Sequence, residues 1–304
     1  MSVKRQRPGA KKGGSGPLSR LTADLASPSV KSRNLPDFEN PPVVEVASSI
    51  QFGSITGLDA ARLGLLWSVY RNEYPKTEQQ PPLPHEIESF DAPSSSQISF
   101  SVAPMISPRF WFMNEKGTRL LQVQHDRFVL NWRKLELDDE VYPHYELLLR
   151  PLLEKEYGRF ERFLRDEGLA APIPDQVELT YVNHIPAGKS KGAREPAARF
   201  TNLWGEDPSD SILPTAEDVS FASRYVMRNE KGSPAGRLSI NLQSHYKVSD
   251  GSPLYVLQLI ARGAPEGEGL AGALAFLDRG REWIVRAFTD ITRPEMHKQW
   301  KRIQ

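Results

Sequence analysis

The segment RFWFMNEKGTRLLQVQHDRFVLNWR at residues 109–133 returns a little over a hundred residues later as SRYVMRNEKGSPAGRLSINLQSHYKV at 223–248. Each copy places alternating apolar and polar residues on both sides of Asn-Glu-Lys-Gly, the pattern of two half-buried strands joined by a turn whose glycine supplies a positive φ. A chain that carries this unit twice is expected to arise by internal duplication. That constrains architecture more than chemistry, because neither copy contains a nucleophile elbow, a metal-ligand spacing or a phosphate loop.

The rest of the chain reads outward from these units. Residues 43–52 form a first strand rich in β-branched residues, and Leu63, Leu66, Trp67, Tyr70 and Tyr74 recur at helical spacing, predicting a helix over 58–74. The proline-rich stretch 75–84, with PPLP at 81–84, reads as an exposed connection. Ile98–Val102 alternates as a strand, followed by strands at 110–113, 118–124 and 127–133. A long helix starts at Pro143 and ends at Gly168, and QVELTYVNHI at 176–185 is the next strand. Residues 187–216 form a long connection in which Phe200, Leu203 and Trp204 make a packed turn. Strands at 221–229, 237–248 and 254–262 then lead to a closing helix with Leu270, Leu274, Leu277, Ile284, Phe288 and Ile291 on one stripe. The expected class is α+β, a duplicated antiparallel sheet meander with long amphipathic helices packed on it. Its domain spans 37–300 as two pseudo-repeats, about 40–168 and 175–292. This architecture resembles saddle-like duplicated folds and helix-grip folds, a likeness that carries no function by itself.

Composition narrows the function classes. With 39% hydrophobic and 25% charged residues, 304 residues suffice for a full core. The absence of cysteine excludes disulfides, thiolate catalysis and cysteine-ligated zinc, and fits a cytoplasmic location. No run approaches a membrane span. Residues 1–33 hold eight Lys and Arg against Asp24 alone, so the first 36 residues are expected to be a disordered basic tail on a mildly acidic body. The tail reads as a solubilising leader in preference to an electrostatic hook for nucleic acid.

Chemistry-bearing residues are dispersed. None of the six histidines forms an HxH or HxxxH pair, so no local metal site is visible; His125, His184 and His245 with Glu178 or Glu45 would have to converge in space. GAPEGEG at 263–269 lacks the Walker lysine, and its acids suit a helix dipole. What stands out is a density of hydrogen-bonding side chains: Gln122, Gln124, Asn131 and Arg133 on neighbouring strands, with Tyr181, Asn183 and His184 on the strand linking the halves. Amides and a guanidinium without paired carboxylates suit recognition better than acid-base catalysis.

The blocks NPPVVEV (40–46), LLQVQHDRFVLNWR (120–133), YPHYE (142–146), ELTYVNHI (178–185) and ITRPEMHKQW (291–300) resemble those of a sporadically distributed family of uncharacterised prokaryotic proteins. The resemblance covers roughly residues 40–300 and implies no reaction, cofactor or catalytic residue; sporadic occurrence implies an accessory or defence-type gene module. The expected function is therefore a non-enzymatic binding protein that holds a partner or polar ligand on the Gln/Asn/Arg-rich sheet face, with no cofactor. The alternatives are a metal-assisted or acid-base enzyme using dispersed His and Glu, and a nucleic-acid-binding protein that combines the duplicated sheet with the basic tail.

Overall fold

A computed structural model of the chain describes residues 35–90, 108–135, 141–188, 194–205, 212, 214 and 216–303. Its centre is one nine-stranded sheet in which every pairing is antiparallel. In chain order the elements are β1 (Val43–Phe52), α1 (Ala60–Tyr70), β2 (Lys76–Gln80), β3 (Arg109–Met113), β4 (Arg119–Gln124) and β5 (Arg127–Arg133). A π-helical turn (Tyr145–Leu149) runs into α2 (Arg150–Asp166), followed by β6 (Pro174–Pro186), β7 (Ser220–Arg228), β8 (Pro234–Tyr246), β9 (Pro253–Gly263), α3 (Gly269–Ile291) and α4 (Pro294–Gln299). The spatial order is β2-β3-β4-β5-β1-β6-β9-β8-β7, so β1 and β6 lie side by side at the centre, each flanked by the last strand of its own meander.

Alternation along the strands assigns the two faces. Val46, Ile50 and Phe52 of β1, Phe128, Leu130 and Trp132 of β5, Val177, Leu179 and Ile185 of β6 and Leu257, Leu259 and Ala261 of β9 are buried together beneath the helices. Phe160 of α2 stacks on Phe52 and Phe128, and Tyr157 meets Phe128 edge-on at 5.5 Å. Aromatic contacts of this kind strengthen area burial by about 1 kcal/mol each. Helix α3 covers the other half, crossing β6, β9 and β8. Close approach there requires glycine: a Cβ on Gly236 would lie 2.8 Å from the Phe276 ring and from the Arg262 carbonyl.

Three expectations are corrected. Residues 76–80, read as part of an exposed connection, form β2 and pair with β3; KTEQQ shows no apolar alternation because this edge strand is exposed and is held by backbone bonds. The helix expected over 58–74 is Ala60–Tyr70, set by the Asp59 cap on the Arg62 amide. The turn-and-helix unit α4 follows the closing helix, and its Trp300 stacks on Phe288 while Phe38 closes against both. The strand expected at 98–102 and the basic tail to residue 34 lie outside the described residues. Among the described residues no helix is long and apolar enough to cross a membrane.

Candidate functional site

The face of the sheet opposite the helices is polar over most of its width. Register places Trp111, Gln122, Val129, Ser49, Glu178, Arg262 and Arg237 in one cross-strand row spanning β3 to β8. Gln122 accepts from the Trp111 indole N–H at 3.0 Å and from Arg109, and donates to Asn131 at 2.8 Å; Asn131 donates onward to Glu45 at 2.6 Å. Gln122 and Asn131 are both buried, so this relay is a satisfied network.

The residues after β2 lie across the same face. From Pro81 to Phe90 the chain runs as a strap over β4, β5, β1, β6, β9 and β8, held through its own backbone on β4, β5, β1, β6 and β8 and through the Glu86 side chain on β9. Gln124 accepts the Leu83 N–H at 2.9 Å and donates to the Leu83 carbonyl at 3.0 Å. Gln51 repeats the arrangement on Glu86, accepting at 3.2 Å and donating at 2.8 Å. Gln176 accepts the Glu88 N–H at 3.1 Å. Arg127 donates to the Pro84 carbonyl at 2.6 Å and Arg109 to that of Pro81 at 3.2 Å. Side chains add to the backbone grip: Arg237 pairs with Glu88 at 2.8 Å, Arg262 pairs with Glu86 and with Glu178, and His85 sits 3.2 Å from both Asp126 and Asp175. An amide side chain meeting both the N–H and the C=O of one residue is a backbone reader, indifferent to that residue's identity.

The seven residues singled out from sequence are divided by the sheet. Gln122, Gln124 and Asn131 share the polar face. Arg133 is on that face but is used locally, donating to the Gly117 carbonyl at 2.8 Å and lying over the Trp111 ring. Tyr181 and Asn183 lie on the opposite, helix-covered face, because they alternate with Thr180, Val182 and the exposed His184. Asn183 donates to the Leu257 carbonyl at 3.0 Å, fastening β6 to β9. A binding face bearing Gln122, Gln124, Asn131, Arg133, Asn183 and His184 together is therefore corrected: strand alternation, which sets Tyr181 and Asn183 opposite His184 in the sequence as in the structure, takes Asn183 off that face.

Tyr181 instead helps to line a small cleft of about 50 Å³ between α3, β6 and the residues before β1. Its hydroxyl is 2.8 Å from that of Tyr142. Burial raises the Tyr142 phenol well above its ordinary value, with Tyr181 adding to the effect, and burial also raises Tyr181 against the opposing hydrogen bond from Tyr142 and the charge of Arg281. Both phenols are neutral near neutral pH and serve as hydrogen-bonding groups. Beside them His144 holds φ 59°, ψ 140°, a conformation disfavoured for a non-glycine residue, at the entrance to the π-helical turn.

Residues missed from sequence are Gln51, Gln176, Arg109, Arg127, Arg237 and Arg262. The available signal was a polar residue in strand register within an otherwise apolar run, as with Gln51 between Ile50 and Phe52. Burial lowers the guanidinium pKa of Arg127 and of Arg109. Among the described residues no group of His, Asp and Glu side chains is arranged to hold a metal ion, and Glu266 of the glycine-rich loop is committed to Arg279. No family model matches the chain, and no curated protein or solved structure matches it.

Proposed function

We propose that this chain is a binding protein whose polar sheet face recognises extended polypeptide through its backbone. The observation that carries the reading is the glutamine row: Gln124, Gln51 and Gln176, on three different strands, direct their amides to the backbone of residues 83, 86 and 88. These amides are nearly or fully buried beneath the strap, whereas the strap's outward side chains are exposed, Ile87 at 57%. Such an array supplies hydrogen-bond pairs of the kind a β-edge supplies, at right angles to the strands.

The test is a titration of a labelled peptide with the sequence of residues 81–90 into a chain in which those residues are replaced by Gly-Ser of equal length, followed by fluorescence anisotropy. Saturable binding, weakened about tenfold or more by Gln51→Ala with Gln124→Ala, is expected. Absence of binding to a folded chain at millimolar peptide would reject the reading.

We also propose that the two halves descend from one duplicated unit. Its support is the pair of Asn-Glu-Lys-Gly turns: Gly117 and Gly232 adopt φ 76° and 77°, and each donates to its turn's Asn carbonyl at 2.9 Å. In each half the strand before the turn lies outside the strand after it, and the half's first strand, β1 or β6, pairs with its last.

A further inference from the structure

We infer that the strap is a displaceable stand-in, and that the ligand of this face is an extended acidic peptide carrying carboxylates two residues apart. The inference rests on the platform reading above and adds to it the partner's chemistry and the means of control.

Three observations support displacement. The strap has no fully buried apolar anchor: Leu83 and Phe90 are half-buried, Phe90 beneath the Arg237 guanidinium, and Ile87 is exposed, so backbone hydrogen bonds and ion pairs supply most of its attachment, each open to replacement by an equivalent group. It also leaves buried donors beneath it without acceptors. Gln176, 3% exposed, has an unpartnered Nε2 where Gln124 and Gln51 each complete a second bond, and Arg127 has an unpartnered Nε. A chain in slightly different register would supply the missing carbonyl. Finally, neither Arg127 nor Arg109 has a carboxylate in ion-pair contact among the described residues.

The acidic preference comes from the strap itself. Glu86 and Glu88, two residues apart and on the same side of an extended chain, reach Arg262 and Arg237. Arg262 also pairs with Glu178 of the sheet at 2.5 Å. Once the strap is lifted, Arg237 and Arg262 keep only Glu178 as a carboxylate partner, which leaves one net positive charge at that end, while Asp126 and Asp175, which lose His85, offset Arg127 at the other; a peptide bearing two acids at this spacing restores the carboxylate partners of Arg262 and Arg237. Phosphates would meet the same guanidiniums, but the glutamine pairs present donor and acceptor together, complementary to a peptide unit and not to a phosphodiester.

The experiment compares three chains, the intact protein, the strap-replaced protein and the intact Glu86→Gln/Glu88→Gln variant, against three probes: the peptide of residues 81–90, the same peptide with both glutamates changed to glutamine, and a single-stranded thymidine decamer. The strap-replaced chain should bind the Glu peptide about tenfold tighter than the Gln peptide, and the intact chain should bind it about tenfold more weakly than the strap-replaced one. The Glu86→Gln/Glu88→Gln variant keeps the full chain and should gain binding in trans, which holds the test open if the replacement impairs folding. Equal affinity for the two peptides overturns the acidic preference while leaving the platform intact. Equal binding by intact and strap-replaced chains overturns displacement. Tighter binding of the oligonucleotide than of the Glu peptide overturns the choice of partner, and absence of any binding removes the platform reading as well.

Discussion

Replacing Gln51 by alanine should unfasten the strap without unfolding the sheet. Gln51 makes two bonds to Glu86, at 2.8 and 3.2 Å, and accepts from Arg127, which retains the Pro84 carbonyl. At roughly 1 kcal/mol per hydrogen bond, the two lost bonds amount to about 2 kcal/mol of strap attachment, or about a 30-fold rise in the population of the lifted state. Hydrogen exchange reads this directly, because the Glu86 amide is protected by the glutamine that is removed. Protection at Glu86 should fall about 30-fold, with Leu83 and Glu88 following if the strap lifts as one unit, while amides of the β1–β6 ladder keep their protection. Unchanged exchange at Glu86 would refute backbone recognition by Gln51. An equal fall in the central ladder would show that Gln51 supports the sheet and not the strap.

Three further outcomes follow from packing and charge. Tyr157 is buried with no partner for its hydroxyl, so Tyr157→Phe should leave stability unchanged or raise it by about 0.5–1 kcal/mol in denaturant melts. Arg159 is 2.8 Å from the buried Glu156 carboxylate, and Arg159→Met should cost about 3 kcal/mol in the same assay, with much of the loss recovered in the Glu156→Leu/Arg159→Met double variant. Burial lowers the pKa of His297, which lies 2.8 Å from the Thr292 hydroxyl. A depressed histidine contributes stability that is full above its unfolded value of about 6.5 and is lost as pH falls through the lower folded value. The melting temperature should therefore drop between pH 7 and pH 5, and less steeply in His297→Gln.

Features set by neighbouring residues were legible in the sequence. Strand alternation placed Phe128, Leu130 and Trp132 on one side and Val129, Asn131 and Arg133 on the other; the first three join the hydrophobic core, whereas Val129 and Asn131 are buried on the polar face. Of the stripe read for the closing helix, Leu274, Leu277, Ile284 and Phe288 are buried, and Leu270 and Ile291 are half-buried against the core. The long helix, whose stripe reads from the sequence as Tyr145, Leu148, Leu149, Leu152, Phe160, Phe163 and Leu164, buries Tyr145, Leu149, Phe160, Phe163 and Leu164 together with Leu153 and Tyr157, while Leu148 and Leu152 are half-buried. The candidate site was half legible, since its amides were visible in β4 and β5 but the segment they hold was not.

Local sequence on its own settled the side-chain periods, the turn glycines and which residues of each strand share a face, since these follow from backbone geometry within a few residues. The tertiary structure alone decided that β1 and β6 meet at the centre, that Asn183 faces the helices while its neighbour His184 faces away from them, and that Pro81–Phe90 lies across the sheet. A strap with no apolar period has no conformation of its own to announce. Its shape is imposed by glutamines brought together from β1, β4 and β6, and that meeting exists only once the strands are in register.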